Sequence, residues 1–135
     1  MEKESLLKFK TIEEEVIVEQ EINKSKFITY LSPISSEDEA KEYLRAIKKD
    51  HPKAAHHCSA YVVGEIERSN DDGEPASSAG LPMLQVLRGN ELHNVIAVVV
   101  RYFGGIKLGV GGLIRAYGSS VTQSIEASQI LNPKL

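Results

Sequence analysis

Three short stretches of this 135-residue chain carry the residues best suited to chemistry. The longest runs Arg101-Tyr102-Phe103-Gly104-Gly105-Ile106-Lys107-Leu108-Gly109-Val110-Gly111-Gly112 and reaches on to Arg115; five of the ten glycines fall within nine of these residues. Glycine permits positive φ and lets a ligand approach the backbone. Successive N–H groups ahead of a helix form a positive concavity suited to phosphate or carboxylate. Arg101 is placed to add a bidentate contact and Lys107 a point charge, while Tyr102 and Phe103 offer flat faces to a base or peptide group. Neither nucleotide fingerprint fits: Val110 follows Gly109 where the Walker pattern needs Lys, and Ile114 stands where a dinucleotide pattern begun at Gly109 needs Gly. The stretch reads as an anion or ligand site, with a tight packing crossover as the plainer alternative.

The other two stretches are His56-His57-Cys58 and Asp71-Asp72-Gly73-Glu74. Imidazole, thiolate and carboxylate are all zinc ligands, but no CxxC or HxxxH spacing is present, and on a strand His56 and Cys58 face away from His57. No metal and no cofactor are therefore expected. A Cys–His–Asp nucleophile arrangement is conceivable, yet Cys58 shares a strand side with Ala60 and Val62 and reads as an inert buried thiol. If the acidic turn and the basic glycine stretch meet in space, they either pair or flank one cleft.

The elements that must position these residues follow from periodicity and punctuation. Ile12, Val16, Ile17 and Val18 among glutamates suggest an edge strand, Asn23-Lys24-Ser25 a turn, and 27–31 a second strand closed by Pro33. Ser36 and Glu39 form a capping box ahead of a helix with Ala40, Tyr43, Leu44 and Ile47 on one face, stopped by Pro52. A strand follows over 54–64, then the turn 70–75 and a loop of small residues. A short helix carries Leu81, Leu84 and Leu87, with Pro82 in its first turn and Gly89 as its stop. Residues 95–100 are apolar throughout, as in a strand covered on both faces. Leu113, Ile114, Tyr117, Val121 and Ile125 mark the core face of a last helix, ended by Asn132-Pro133. The pattern is an α+β domain with helices mainly on one face of a sheet.

The totals suit one globular domain: 41% hydrophobic, 26% charged and net charge −3, which excludes a globally basic nucleic-acid binder. The charge is uneven. Glu2, Glu4, Glu13, Glu14, Glu15, Glu19 and Glu21 crowd the first strand region, whereas no acid lies between Glu91 and Glu126. The glycine stretch is a local positive island. A single cysteine, no signal-peptide layout and no long apolar run point to a cytoplasmic protein without a membrane partner.

In detail the chain resembles the IMPACT/YigZ family. The resemblance rests on His56-His57-Cys58-x-Ala60-Tyr61, Asp71-Asp72-Gly73-Glu74-Pro75, Ala79-Gly80-x-Pro82-Met83-Leu84 and Arg101-Tyr102-Phe103-Gly104-Gly105-x-Lys107-Leu108-Gly109-x-Gly111-Gly112-Leu113-x-Arg115-Ala116-Tyr117, across about residues 20–130. One departure is Ala76-Ser77-Ser78, where the family more often shows a Gly-Thr pair before Ala-Gly. The resemblance implies a fold like domain 2 of ribosomal protein S5, with a mixed or antiparallel sheet of about four strands. It also implies that residues 1–135 are the N-terminal-type domain without the ferredoxin-like C-terminal domain of bacterial relatives. Eukaryotic relatives regulate translation initiation by competing for a large activator of an initiation-factor kinase, through an extra domain not seen in this chain.

Three functions remain open from sequence. The first is a translation-associated protein binding RNA, the ribosome, a translation factor or a phosphate-bearing ligand at the glycine stretch. The second is a hydrolase-like enzyme on a small phosphorylated or peptide substrate, using Asp71, Asp72 and Glu74 with His56 or His57 as acid, base or ligand. The third is a protein-interaction module with no small ligand.

Overall fold

The structure is a computed structural model that describes residues 9–133; Glu2 and Glu4 of the acidic group lie outside the described residues. In chain order the elements are β1 (Thr11–Ile12), β2 (Val16–Ile22), β3 (Ser25–Pro33), α1 (Glu37–Asp50), β4 (His56–Val63), β5 (Ile66–Asn70), α2 (Gly80–Gly89), β6 (Val95–Tyr102), α3 (Gly109–Glu126) and β7 (Ile130–Leu131). The main sheet has five strands in the order β2-β3-β6-β4-β5, every neighbouring pair antiparallel. β1 and β7 form a separate antiparallel pair. No helix among the described residues is long and apolar enough to cross a membrane.

The α+β class is as expected, but the sheet has five strands where about four are expected. The additional strand is β5, which turns back onto β4 beyond Gly64 at φ +57°. All five of its residues are exposed, so it has no apolar alternation to betray it. The β2–β3 turn is two residues long, with Ser25 already in β3, and Asn23 and Lys24 both take left-handed φ, 48° and 66°. That geometry matches the twist of the flanking strands.

β6 is the centre of the molecule. Val95 to Arg101 are all buried, because the two faces of the strand meet two different cores. Val95, Ala97 and Val99 pack with Phe27, Leu31, Met83, Leu87, Leu113 and Tyr117 under α2 and α3. Ile96, Val98 and Val100 pack with Ala40 and Ile47 under α1. Two helices thus share one face and α1 covers the other. Fully burying each such aliphatic side chain contributes about 1.5–3 kcal/mol, so an unpaired charge placed anywhere from Val95 to Val100 would be ruinous.

Helix boundaries follow their caps. Ser36 Oγ accepts from Glu39 N at 3.1 Å, while the Glu39 carboxylate reaches back to Ser35, not Ser36. In α2 the core residues are Pro82, Met83, Leu84 and Leu87, while Leu81 is exposed. α3 starts four residues before Leu113, so Gly109, Gly111 and Gly112 form its first turn and are not loop. Its core face is Leu113, Ala116, Tyr117, Ser120, Val121 and Ser124, with Ile114 exposed. It ends at Glu126, ahead of Asn132-Pro133, because the chain turns there to pair β7 with β1.

Candidate functional site

The phase of β6 decides which of the predicted residues meet. Arg101 is in step with Val95, Ala97 and Val99, so it points to the α3 side, where it is only 5% exposed. Taking a guanidinium out of water is costly unless a partner and hydrogen bonds replace the water. Glu74 supplies the partner: Arg101 Nη1 donates to both its carboxylate oxygens, at 3.1 and 2.8 Å. Ser25 Oγ accepts from Arg101 Nε and Nη2, each at 3.3 Å, and from Gly104 N at 3.3 Å. The rings of Phe27 and Phe103 lie over the guanidinium at 5.6 and 5.5 Å. Tyr117 OH, one face of α3, donates to Glu74 Oε2 at 2.5 Å. The acidic turn and the basic strand end therefore meet, as an ion pair buried between sheet and helix.

The rest of the 71–75 turn is held by the backbone. Asp71 accepts from Ser77 N at 2.8 Å, Ala79 N at 3.1 Å and Gly80 N at 2.9 Å, and so caps α2 from eight residues away. Asp72 accepts from His57 N at 2.6 Å, and its carbonyl accepts from His56 Nδ1 at 2.8 Å. Gly73, at φ +87°, passes beneath the His56 ring, where a Cβ would stand 3.4 Å from Nδ1. Ser77, within the stretch expected to depart from the family pattern, takes a left-handed φ of 61°. The backbone there adopts a conformation that glycine takes up freely.

Above this floor opens a cleft of about 460 Å³, lined by Ala55, His56, Glu74, Pro75, Arg101, Phe103, Lys107, Leu108, Gly109, Val110 and Leu113. Its walls are mainly apolar and its floor is polar. His56 Nε2 stands 3.4 Å from Glu74 Oε1. The N-terminus of α3 forms one side: Leu108 offers no side-chain cap and the first turn carries no acid. Gly104 is lodged against the β2–β3 turn, where a Cβ would fall 2.0 Å from the Lys24 carbonyl oxygen; Gly105, at φ +89°, faces open space. Gly112 and Arg115 line a neighbouring depression of about 300 Å³ with Asn23, and Gly111 lies within reach of the Arg115 guanidinium.

Two predicted residues lie elsewhere. Tyr102 and His57 project from the opposite face of the sheet, where Tyr102 OH pairs with His51 Nδ1 at 2.5 Å and His57 Nε2 donates to the His51 carbonyl at 2.7 Å. His51 Nε2 also pairs with Tyr30 OH at 2.7 Å. Cys58 is buried and donates to the Asp71 carbonyl at 3.1 Å; burial pushes its thiol up to about 12, so it is no nucleophile near neutrality. Burial also drives the Tyr117 hydroxyl far above its ordinary range. Among the described residues no group of three or more His, Cys, Asp or Glu converges to hold a metal ion.

Sequence reasoning missed the roles of Ser25 and Tyr117. Ser25 reads as a turn residue and Tyr117 as core, and nothing local to either announces a partner 76 or 43 residues away.

Residues 23–125 match the family model described as the Impact N-terminal domain. The chain is 52% identical over 126 residues to IMPACT family member YvyE of Bacillus subtilis, covering 91% of this chain and 56% of that protein. It thus spans little more than half the length of that relative. A crystal structure described as that of a hypothetical protein superposes with a TM-score of 0.87 at 42% identity, covering 93% of this chain and 64% of the other. The solved two-domain translational regulator Yih1 is more distant, with a TM-score of 0.52 at 27% identity over 90% of this chain and 48% of its own.

Proposed function

The chain belongs to the IMPACT family, and on that premise we propose that it is a cytoplasmic, translation-associated regulatory module that binds RNA phosphate at the N-terminus of α3. The observation that carries this reading is the α3 terminus itself. It opens on a cleft, begins with Gly109-Val110-Gly111-Gly112, has no side-chain cap and has no acid in its first turn. Free amides at a helix start attract phosphate through both hydrogen bonds and the helix dipole. Exposed Lys107 stands just ahead of it and Arg115 about two turns in, within a segment free of acids between Glu91 and Glu126. The relation to Yih1, described as a translational regulator, supports the regulatory setting.

The hydrolase reading fares worse on the same geometry. Asp71 and Asp72 are engaged by backbone amides, and Glu74 is engaged by Arg101 and Tyr117, so each of the three carboxylates already serves the fold.

The test is an amide NMR titration with a single-stranded RNA oligonucleotide and, separately, inorganic phosphate. Shifts should concentrate in residues 103–115, with affinity falling as salt rises, at a slope of roughly −0.7 per phosphate contact. Lys107→Ala should reduce that slope by about one contact's worth. RNA that leaves residues 103–115 unshifted at low salt would refute the proposal.

A further inference from the structure

Resting on that RNA reading, we infer that the cleft beside the phosphate site holds one unpaired base of the bound strand, stacked on Phe103. The cleft itself is poorly suited to phosphate. Pro75, Phe103, Leu108, Val110 and Leu113 contribute most of its wall, and Lys107 is the one exposed cation among the residues that line it. A dianion enclosed there would lose its water to apolar surface. A planar, mostly apolar ring would not.

Phe103 is the clearest sign. It is 52% exposed, an unusual state for a phenylalanine placed between a buried strand and a helix. The Arg101 guanidinium lies over its ring at 5.5 Å, and the solvent-open half of the residue is where a second planar group would stack. Val110, also exposed, adds an apolar side chain to the lining of the cleft.

The floor supplies groups that a base edge can satisfy. His56 Nδ1 is committed to the Asp72 carbonyl, which leaves Nε2 at the cleft with its nearest partner 3.4 Å away. Arg101 has five N–H donors; its contacts to Glu74 and Ser25 use four. His56 and Arg101 are register partners across β4 and β6 and both line the cleft, so an imidazole nitrogen and a guanidinium together complement an edge that presents a donor beside an acceptor. Nucleobases have such edges, and the α3 amides and Lys107 at the mouth lie where the attached phosphate would emerge. Bases inside a duplex are stacked and paired and cannot enter, so the site selects single strands.

The test compares a single-stranded RNA with a blunt duplex of the same sequence by fluorescence anisotropy, using wild type, Phe103→Ala, Phe103→Leu and Lys107→Ala. Base–aromatic stacking predicts that Phe103→Ala weakens single-strand binding roughly 5- to 150-fold. Phe103→Leu, which keeps apolar bulk without the ring, should lose nearly as much. Neither change should move duplex binding more than about twofold, or alter the salt slope, because no phosphate contact is removed. Thermal melts within a few degrees of wild type would show that both variants fold. If the Phe103 variants bind single strands like wild type while Lys107→Ala weakens them, the stacked base is refuted and the phosphate site survives. If neither RNA binds wild type, both fall.

Discussion

Removing the Glu74 carboxylate should be among the most damaging single changes in the protein. Glu74→Ala leaves the Arg101 guanidinium, 5% exposed, with Ser25 Oγ as its remaining hydrogen-bond partner, and takes the acceptor from a Tyr117 hydroxyl at 0% exposure. Breaking a buried ion pair from one side costs about 3–5 kcal/mol, and an orphaned buried hydroxyl about 1–3 kcal/mol. The two share one network and will not add fully, which puts the loss near 4–6 kcal/mol. With an unfolding entropy of roughly 2.1 cal/mol/K per residue, that loss lowers Tm by about 14–21 °C for a domain of this size. Urea unfolding monitored by circular dichroism, beside calorimetry, measures both quantities. The double variant Glu74→Leu/Arg101→Met separates pairing from packing: without either charge it should return to within about 2 kcal/mol of wild type. A Glu74→Ala loss below about 1 kcal/mol, or a double variant no more stable than the single, would overturn the buried-pair account.

Other changes probe the frame around the cleft. Gly104→Ala drives a methyl to 2.0 Å from the Lys24 carbonyl oxygen and should cost at least about 1–3 kcal/mol with displaced resonances at 23–25, whereas Gly89→Ala, in open space at the end of α2, should be neutral or gain up to about 1 kcal/mol. Thr29 Oγ1 is buried with no partner among the described residues, so the near-isosteric Thr29→Val should gain about 1 kcal/mol in urea unfolding. Stability should also fall on the alkaline side. The fold holds Cys58 protonated up to about 12 and Tyr117 higher still, both chiefly through burial, while the unfolded chain releases these protons from about 9 and 10 upward. The native state then binds more protons than the unfolded one, so stability is full below about pH 8 and declines from pH 9 towards 12. Unfolding curves at pH 8 and 10.5 that coincide would contradict this.

Much of the frame is legible in the chain because its signals are local. The Asn23-Lys24 turn, the Ser36 cap and the two-faced burial of 95–100 depend on neighbours a few residues away. β5 was hidden because an edge strand with both faces wet needs no apolar alternation. The start of α3 was hidden by its glycines, which disfavour helix interiors but are tolerated in a first turn that other elements hold in place. Ile114 looked like core because helical periodicity marks a face without saying how wide it is. The site was half legible: strand phase separates His56 and Arg101 from His57 and Tyr102. That Arg101 spends its charge on Glu74, and not on open solvent, depends on a meeting across 27 residues that no local pattern encodes.

The acids of the 71–74 turn have a consequence for how such a sequence drifts. Asp71 holds the start of α2, Asp72 the start of β4, and Glu74 joins β6 to α3. A lineage that abandoned the ligand altogether would still be obliged to keep all three, and could replace the Glu74–Arg101 pair only through two near-simultaneous changes. Persistence of these residues across descendants is a record of selection for a folded domain. Phe103 and Lys107, exposed and free to vary without harm to the core, are the positions where drift would reveal that the cleft had fallen out of use.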